Sequence, residues 1–326
     1  HDQGAGASLA GEPFSLSKAI ISNLDTGTVK AEYVDDQEAA VAKVKNGEAY
    51  AVIVFNAGFT AEAVKASQDP SSPNGSTIKL MLDKSNVNVA NAITKSLGDA
   101  LQATTQELGR RPPVAVDAGE AIYGQGARFI DFFVPGVMAF VVFVLTTLLT
   151  LVSFVSEKTT GTLDRLLATP ISEGGVVLGY ATAFGTIGVI QSALLLVIAI
   201  AAFRIIIEGN VILAFMTIAL LAVVSQALGI LLSSLARREA QAVQLFPFIM
   251  LPAFLLAGVF WPLEAIPAWL RPLSYLVPPT YAADACRSVM LKGWGIGKIW
   301  MDMVALLGFA VAFLALATWT LKRRKA

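Results

Sequence analysis

Five apolar runs fill the second half of the chain, each long enough to cross a bilayer, which takes about 20 residues. They are Phe132–Val155, Val176–Phe203, Val211–Leu235, Ala242–Trp261 and Trp300–Leu321. The fifth carries Asp302 near one end, and the other four hold no ionisable residue. Pro247 and Pro252 lie inside the fourth, which predicts a kinked or interrupted helix whose freed carbonyls are covered by neighbouring helices. Between the first two runs lies the charged, amphipathic segment Glu157–Ser172, EKTTGTLDRLLATPIS. A polar helix held between two spans must sit at a membrane surface, where it can exchange force with a soluble partner.

The pattern before residue 130 is different. Ser15–Asp25 reads as a helix, Thr28–Val34 as a strand, and Asp36–Lys45 as a helix with Ala39, Ala40, Val41 and Val44 on one side. Tyr50–Phe55 reads as a strand, Thr60–Ala66 as a short helix, Ile78–Leu82 as a strand and Val87–Leu108 as a long helix. Strands alternating with helices predict a small α/β domain. The expected organisation is an α/β domain over 1–113, a linker over 114–130 and a polytopic α-helical membrane domain over 131–326. Gln68–Ser76 is a surface turn, and Asn74-Gly75-Ser76 fits both an ordinary turn and a glycosylation acceptor.

Composition agrees with this division. The 326 residues are 55% hydrophobic and 15% charged, with a mean hydropathy of +0.65, against about 25% charged in soluble domains. Residues 1–130 hold 11 Lys/Arg and 15 Asp/Glu, whereas residues 131–326 hold 13 and 9. Neither half is basic enough for a nucleic-acid footprint. One cysteine, Cys286, makes an intrachain disulfide impossible, and with His1 the one histidine, at the terminus, the composition argues against a His/Cys metal site or a His-based triad.

Lys and Arg in short loops set the orientation. One side holds Lys158, Arg165, Arg237, Arg238, Lys322, Arg323, Arg324 and Lys325, and the other Arg204, Arg271, Arg287, Lys292 and Lys298. The first, clustered set is placed in the cytoplasm of a multi-pass cell-membrane protein. Five crossings then put the C-terminus inside and residues 1–130 outside. An outside domain needs something to carry it across, so either a further span precedes His1 or the topology is inverted.

Pro262–Lys298 mixes Pro262, Pro267, Pro272, Pro278 and Pro279 with Trp261, Trp269, Tyr275, Tyr281 and Trp294. Trp and Tyr favour the membrane–water interface. Two short helices, Ala265–Tyr275 and Tyr281–Leu291, are expected to dip into the outer interface. An outer gate built on Trp261, Pro262, Trp269, Pro278, Pro279 and Tyr281 and a lid with no gating role both fit.

Candidate chemistry is sparse. Gly161 can break the first span helix and Thr162 can cap the next. Leu163, Leu166 and Leu167 then form one apolar stripe, with Asp164 and Arg165 off it and Pro170 ending the helix. The residues alone fit docking to a soluble partner and contact with lipid headgroups equally. No phosphate-binding G-x-x-x-x-G-K-[ST] loop occurs, so ATP hydrolysis is not expected in this chain. Bare span interiors argue against ion coupling. Gln191 and Gln226 are the polar residues nearest mid-span; they line a path or bond between helices, the latter being preferred. Gly179 and Ala183 are expected at a close helix contact.

The order Glu157…Gly161-Thr162-Leu163-Asp164…Leu167…Thr169-Pro170, with Phe260-Trp261-Pro262-Leu263 and Pro278-Pro279-Thr280-Tyr281, resembles permease subunits of type 2 (ABC-2) exporters over nearly the whole membrane half. More loosely, Asp2-Gln3-Gly4-Ala5, Tyr50-Ala51-Val52-Ile53-Val54 and Asp83-Lys84-Ser85-Asn86 look like positions of their external domain, including the phage-infection-protein-like branch. The resemblance implies six spans, of which the first is absent here. It implies a coupling helix at Glu157–Ser172, including Leu166, docked on a separate ABC ATPase subunit that holds ATP and Mg, and a homo- or heterodimer of permeases among membrane lipids. The expected function is ATP-driven export of a hydrophobic or amphipathic substrate: a drug, lipid or lipid-linked glycan. The alternative is a membrane-anchored surface receptor or adhesion protein.

Overall fold

The computed structural model describes residues 8–9, 12–13, 15–24, 29–68, 76–108, 114–236, 238–261 and 263–325. The chain divides into two compact units, His1–Gly126 and Ala127–Ala326.

The first unit begins with β1 (Ser8–Leu9) and β2 (Glu12–Pro13), a short antiparallel pair. There follow α1 (Leu16–Leu24), α2 (Gln37–Lys45), β3 (Ala51–Val54), α3 (Phe59–Gln68), β4 (Ser76–Asp83), α4 (Val87–Leu108), β5 (Val114–Asp117) and β6 (Ala121–Tyr123). β4 is the middle of a four-stranded sheet, antiparallel to β3 and parallel to β5 and β6. Its side chains alternate as a strand requires. Ile78, Leu80 and Leu82 pack with Leu16, Ile20, Phe59 and Leu97 of the helices, and Met81 packs on the other side with Val44 and Val52. Asp36 caps α2 by accepting from the backbone N–H of Glu38 and Ala39.

Two expectations change here. Residues 29–34 form no strand and are mostly exposed. Their alternation has no partner, because β3 takes one edge of β4 while β5 and β6 take the other. The stretch 114–130, expected as a linker, supplies β5 and β6 instead. The expected motifs at residues 2–5, 74–75 and 109–113 lie outside the described residues.

The second unit is helical: α5 (Phe129–Thr159), α6 (Thr162–Leu167), α7 (Glu173–Ala201), α8 (Val211–Ser233), α9 (Glu239–Leu256), a 3-10 turn (Leu263–Ala265), α10 (Arg271–Ser274), α11 (Pro278–Lys292) and α12 (Ile296–Lys325). Among the described residues, α5, α7, α8, α9 and α12 are the five helices long and apolar enough to span a membrane. α8 is the hub, packing against α5, α7, α11 and α12. α7, α9 and α12 keep exposed apolar faces, with Ile190, Leu194, Phe248, Leu251 and Val311 open, as hydrocarbon surroundings require. α9 runs through Pro247 and Pro252 without interruption. It ends at Leu256, before the expected end at Trp261, because Gly258 takes φ +66, a turn only glycine makes without strain.

The segment after Gly258 also departs from expectation. In place of a helix over 265–275 there are a 3-10 turn and the four-residue α10. α11 starts earlier, with Pro278 and Pro279 in its first turn, where the missing N–H costs nothing. Ala282, Ala283, Ala285, Cys286, Val289 and Met290 are fully buried against α5, α8 and α12.

Candidate functional site

The candidate site is the knuckle where α5 turns through α6 into α7. The turn is made at Gly161, with φ +76. A Cβ there would meet nothing within 4 Å, so conformation, not space, calls for glycine. Gly161 itself occupies the N-cap position and Thr162 opens the helix, one place along from the expected cap. Ser172 caps α7, accepting from Gly175 N at 3.2 Å.

The leucine stripe faces inward. Leu163 is fully buried and Leu167 nearly so, packed with Phe154, Val176, Ile230 and Leu321, with Leu166 partly buried alongside. The expectation that these leucines form the docking surface is corrected: an apolar stripe between two spans finds its burial within its own bundle. The face left open carries Thr162, Asp164, Arg165, Thr169, Pro170 and Ile171.

Glu157 is not on a free surface segment. It lies on the last turn of α5, half-buried, and accepts a hydrogen bond from the Tyr180 hydroxyl of α7. Tyr180 packs edge-on against Phe154 at 4.8 Å. Lys158 donates to the carbonyls of Ala236 (2.9 Å) and Ser233 (3.3 Å), neutralising the carbonyl end of α8. Sequence reading gave Lys158 only a place in the charge count. Its partners are 75 and 78 residues away, so no local signal marks the contact.

Gln191 and Gln226 bond between helices, the reading preferred from the sequence. The Thr146 hydroxyl of α5 donates to Gln191 Oε1 on α7 at 3.2 Å, and Gln226 Nε2 on α8 donates to the Ala181 carbonyl of α7 at 2.8 Å. Gly179 and Ala183 do not mediate the close contact, since both are exposed. Gly185 and Gly188 do: a Cβ on Gly188 would lie 2.8 Å from Ala222 Cβ.

The aromatic and proline residues proposed as an outer gate do not form one cluster. Trp261 is 38% and Trp269 77% exposed, whereas Pro278 and Pro279 are buried. Tyr281 donates to the Tyr275 carbonyl at 2.8 Å. Pro262 lies outside the described residues. What organises this end is Arg287. Its guanidinium donates to the carbonyls of Phe132 (3.0 Å), Gly258 (2.7 Å) and Val259 (2.6 Å) and lies 4.1 Å from the Phe132 ring centre. It thereby ties α11 to α5 and to the broken end of α9. Nearby, the fully buried Asp131 carboxylate pairs with Arg128 and accepts from Ile206 N at 3.1 Å. Arg128 Nη2 reaches the Arg204 carbonyl at 3.0 Å.

Among the described residues, no group of three or more His, Cys, Asp or Glu could hold a metal ion. Burial pushes the Cys286 thiol up to about 12. The thiolate is the reactive form, so a maleimide at neutral pH is expected to label Cys286 only after denaturation. Rapid labelling of the folded protein, followed by mass spectrometry, would contradict the packing of α11.

Residues 8–319 match the family described as ABC-2 family transporter protein. The chain is 28% identical over 338 residues to the ABC transporter G family member 20 of Dictyostelium discoideum, covering 97% of this chain and 46% of that protein. It is 28% identical over 252 residues to the Probable multidrug ABC transporter permease YbhR of Escherichia coli (strain K12), covering 76% of this chain and 68% of that one. It is 21% identical over 303 residues to the Probable multidrug ABC transporter permease YbhS of the same organism, covering 91% and 78%. The chain spans about half the length of the Dictyostelium relatives it matches.

Proposed function

Because the chain belongs to the ABC-2 family of transporter proteins, we propose that it is the membrane-spanning permease of an ATP-driven exporter. ATP and Mg are held by an ABC ATPase on a separate subunit, and the permease works as a dimer in the cell membrane. The knuckle at α6 carries this reading. α6 is gripped on its apolar side by α5, α7, α8 and α12, and presents Asp164 and Arg165 outward. Force applied to that open face passes into the spans through buried contacts rather than through a flexible loop. The Glu157–Tyr180 bond and the Lys158 contacts extend the grip to the ends of α7 and α8. The substrate class is a hydrophobic or amphipathic compound. Support comes from spans with few ionisable groups and from relatives named as multidrug permeases.

The test exchanges the outward charges without touching the buried leucines. Asp164→Arg combined with Arg165→Glu is expected to lower ATP-dependent efflux about tenfold, as loss of central interface contacts does, at unchanged protein level in the membrane. ATP-independent ligand binding by the first unit, with efflux indifferent to the exchange, would instead favour a surface receptor.

A further inference from the structure

The middle of α7 packs on α5 and α8 along a seam that carries polar side chains from all three helices. Thr146 and Thr150 lie one turn apart on α5, Gln191 lies on α7 and Gln226 on α8. Two bonds cross the seam, Thr146 Oγ1 to Gln191 Oε1 at 3.2 Å and Gln226 Nε2 to the Ala181 carbonyl at 2.8 Å. Three other atoms, Thr150 Oγ1, Gln191 Nε2 and Gln226 Oε1, are buried with no hydrogen-bond partner among the described residues. Thr150 is 0% and Gln226 1% exposed. Thr150 sits between two α7 contacts on one face of α5. Thr146 meets Gln191 one turn before it, and Phe154 meets Tyr180 one turn after. The buried helical residues Thr104 and Thr217 donate back to the carbonyls of Ala100 and Leu213, a bond Thr150 does not make.

A buried polar atom left unpaired costs more than a typical hydrogen bond contributes. Three on one seam therefore disfavour the closed packing relative to one that water can reach. Little side-chain packing opposes a parting of the helices. α7 faces α8 here through Gly185 and Gly188, where an added Cβ would lie 3.2 Å from Gln226 Nε2 and 2.8 Å from Ala222 Cβ. Of the most apolar stretch of α7, 22% is buried, against 50% in α5 and in α8. Its two ends are tied: Tyr180 donates to Glu157, and Arg128 donates to the Arg204 carbonyl just beyond the other end. The freedom to move therefore belongs to the middle.

We propose that residues 181–191 of α7 part from α5 and α8 as a local opening of the helical unit. Water then enters the seam, and Thr150 Oγ1, Gln191 Nε2 and Gln226 Oε1 are the polar lining of the opened cleft. In the closed packing the Thr150 hydroxyl opposes contact, whereas the Thr146 hydroxyl supports it. Near-isosteric replacements one turn apart thus have opposite effects.

The experiment is amide hydrogen exchange of the full chain in detergent, read by mass spectrometry of peptides. No nucleotide or substrate is present, so the outcome is separate from that of the transport reading. In the parent, residues 181–191 are expected to exchange about tenfold faster than residues 217–227 of α8. Thr150→Val is expected to slow exchange over 181–191 about tenfold, because it removes an unpaired group from the closed seam and a hydrated one from the open seam. Thr146→Val is expected to speed it about fivefold, because it breaks the bond to Gln191. Parent α7 exchanging no faster than α8 would overturn the proposal. So would a Thr150→Val protein that exchanges as fast as the parent or faster, or that fails to fold, since its hydroxyl would then support the closed packing. A slowing spread equally over α8, α11 and α12 would also overturn it, as a gain in global stability.

Discussion

Replacing Arg287 by methionine is expected to destabilise the helical unit by about 3 kcal/mol, the scale set by stranding buried acceptors that a charged donor had satisfied. The carbonyls of Phe132, Gly258 and Val259 converge on one guanidinium. Methionine fills much of the same volume, so the loss isolates the hydrogen bonds from packing. Two of these carbonyls lie just beyond α9, where the left-handed Gly258 has already ended the helix ladder. Without Arg287 they have neither a helix donor nor, buried as these residues are, free access to water. The measurement is the midpoint of thermal unfolding in detergent, alongside steady-state membrane level. Arg287→Lys is expected to recover less than half, because a point charge cannot match the planar fork. Gly136→Leu is expected to act through the same place, since a Cβ there would lie 2.3 Å from Arg287 Nη2. A methionine variant that melts like the parent would show that the clamp does not hold α11.

The second large effect is expected at Gly229. A Cβ at this position would lie 2.8 Å from the Thr147 carbonyl and 2.9 Å from Thr150 Cβ. The first of these is backbone, which cannot swing aside. Gly229→Leu must therefore push α8 away from α5 over the contact that centres the bundle. Overpacking of this kind costs about 3 kcal/mol or more when the backbone has to move. Small residues are what allow helices to approach closely in a bilayer, where little hydrophobic force drives them together. The expected result is a strong drop in folded protein recovered from membranes, read by size-exclusion chromatography. By contrast Gly179, with open space where its Cβ would go, is expected to accept alanine without loss. Equal recovery of Gly229→Leu and the parent would place the close α5–α8 contact in error.

The knuckle shows how differently its parts were written in the sequence. Gly161, the charged residues and the Leu163–Leu167 spacing together give a short amphipathic helix between two spans, and such a helix is present. Periodicity identifies an apolar face but not what covers it. The stripe could have faced a partner, a lipid surface or the protein's own spans. The packing of Phe154, Ile230 and Leu321 around Leu163 decides for the last. That moves the candidate docking surface onto Asp164 and Arg165. Lys158 and Tyr180 were invisible as site residues for a related reason. Each acts across helices, through partners 23 or more residues away.

In the first unit, strand content was legible where a buried face exists on both sides, as in β4. It was misread at residues 29–34, where alternation has no neighbouring strand. β5 and β6 were missed because short strands with no fully buried residue carry little hydrophobic signal, and their place depends on the free edge of β4.

The sequence by itself determined the five apolar helices, the charged knuckle between the first two and the division into two halves. Those features follow from local hydropathy, charge and chain length, which depend on near neighbours alone. Only the tertiary structure decided that α11 packs among α5, α8 and α12, that one arginine ties α11 to α5 and the end of α9, and that the knuckle's leucines face inward. Each of these turns on which distant carbonyl or side chain arrives next to a residue, and burial is a property of that arrival.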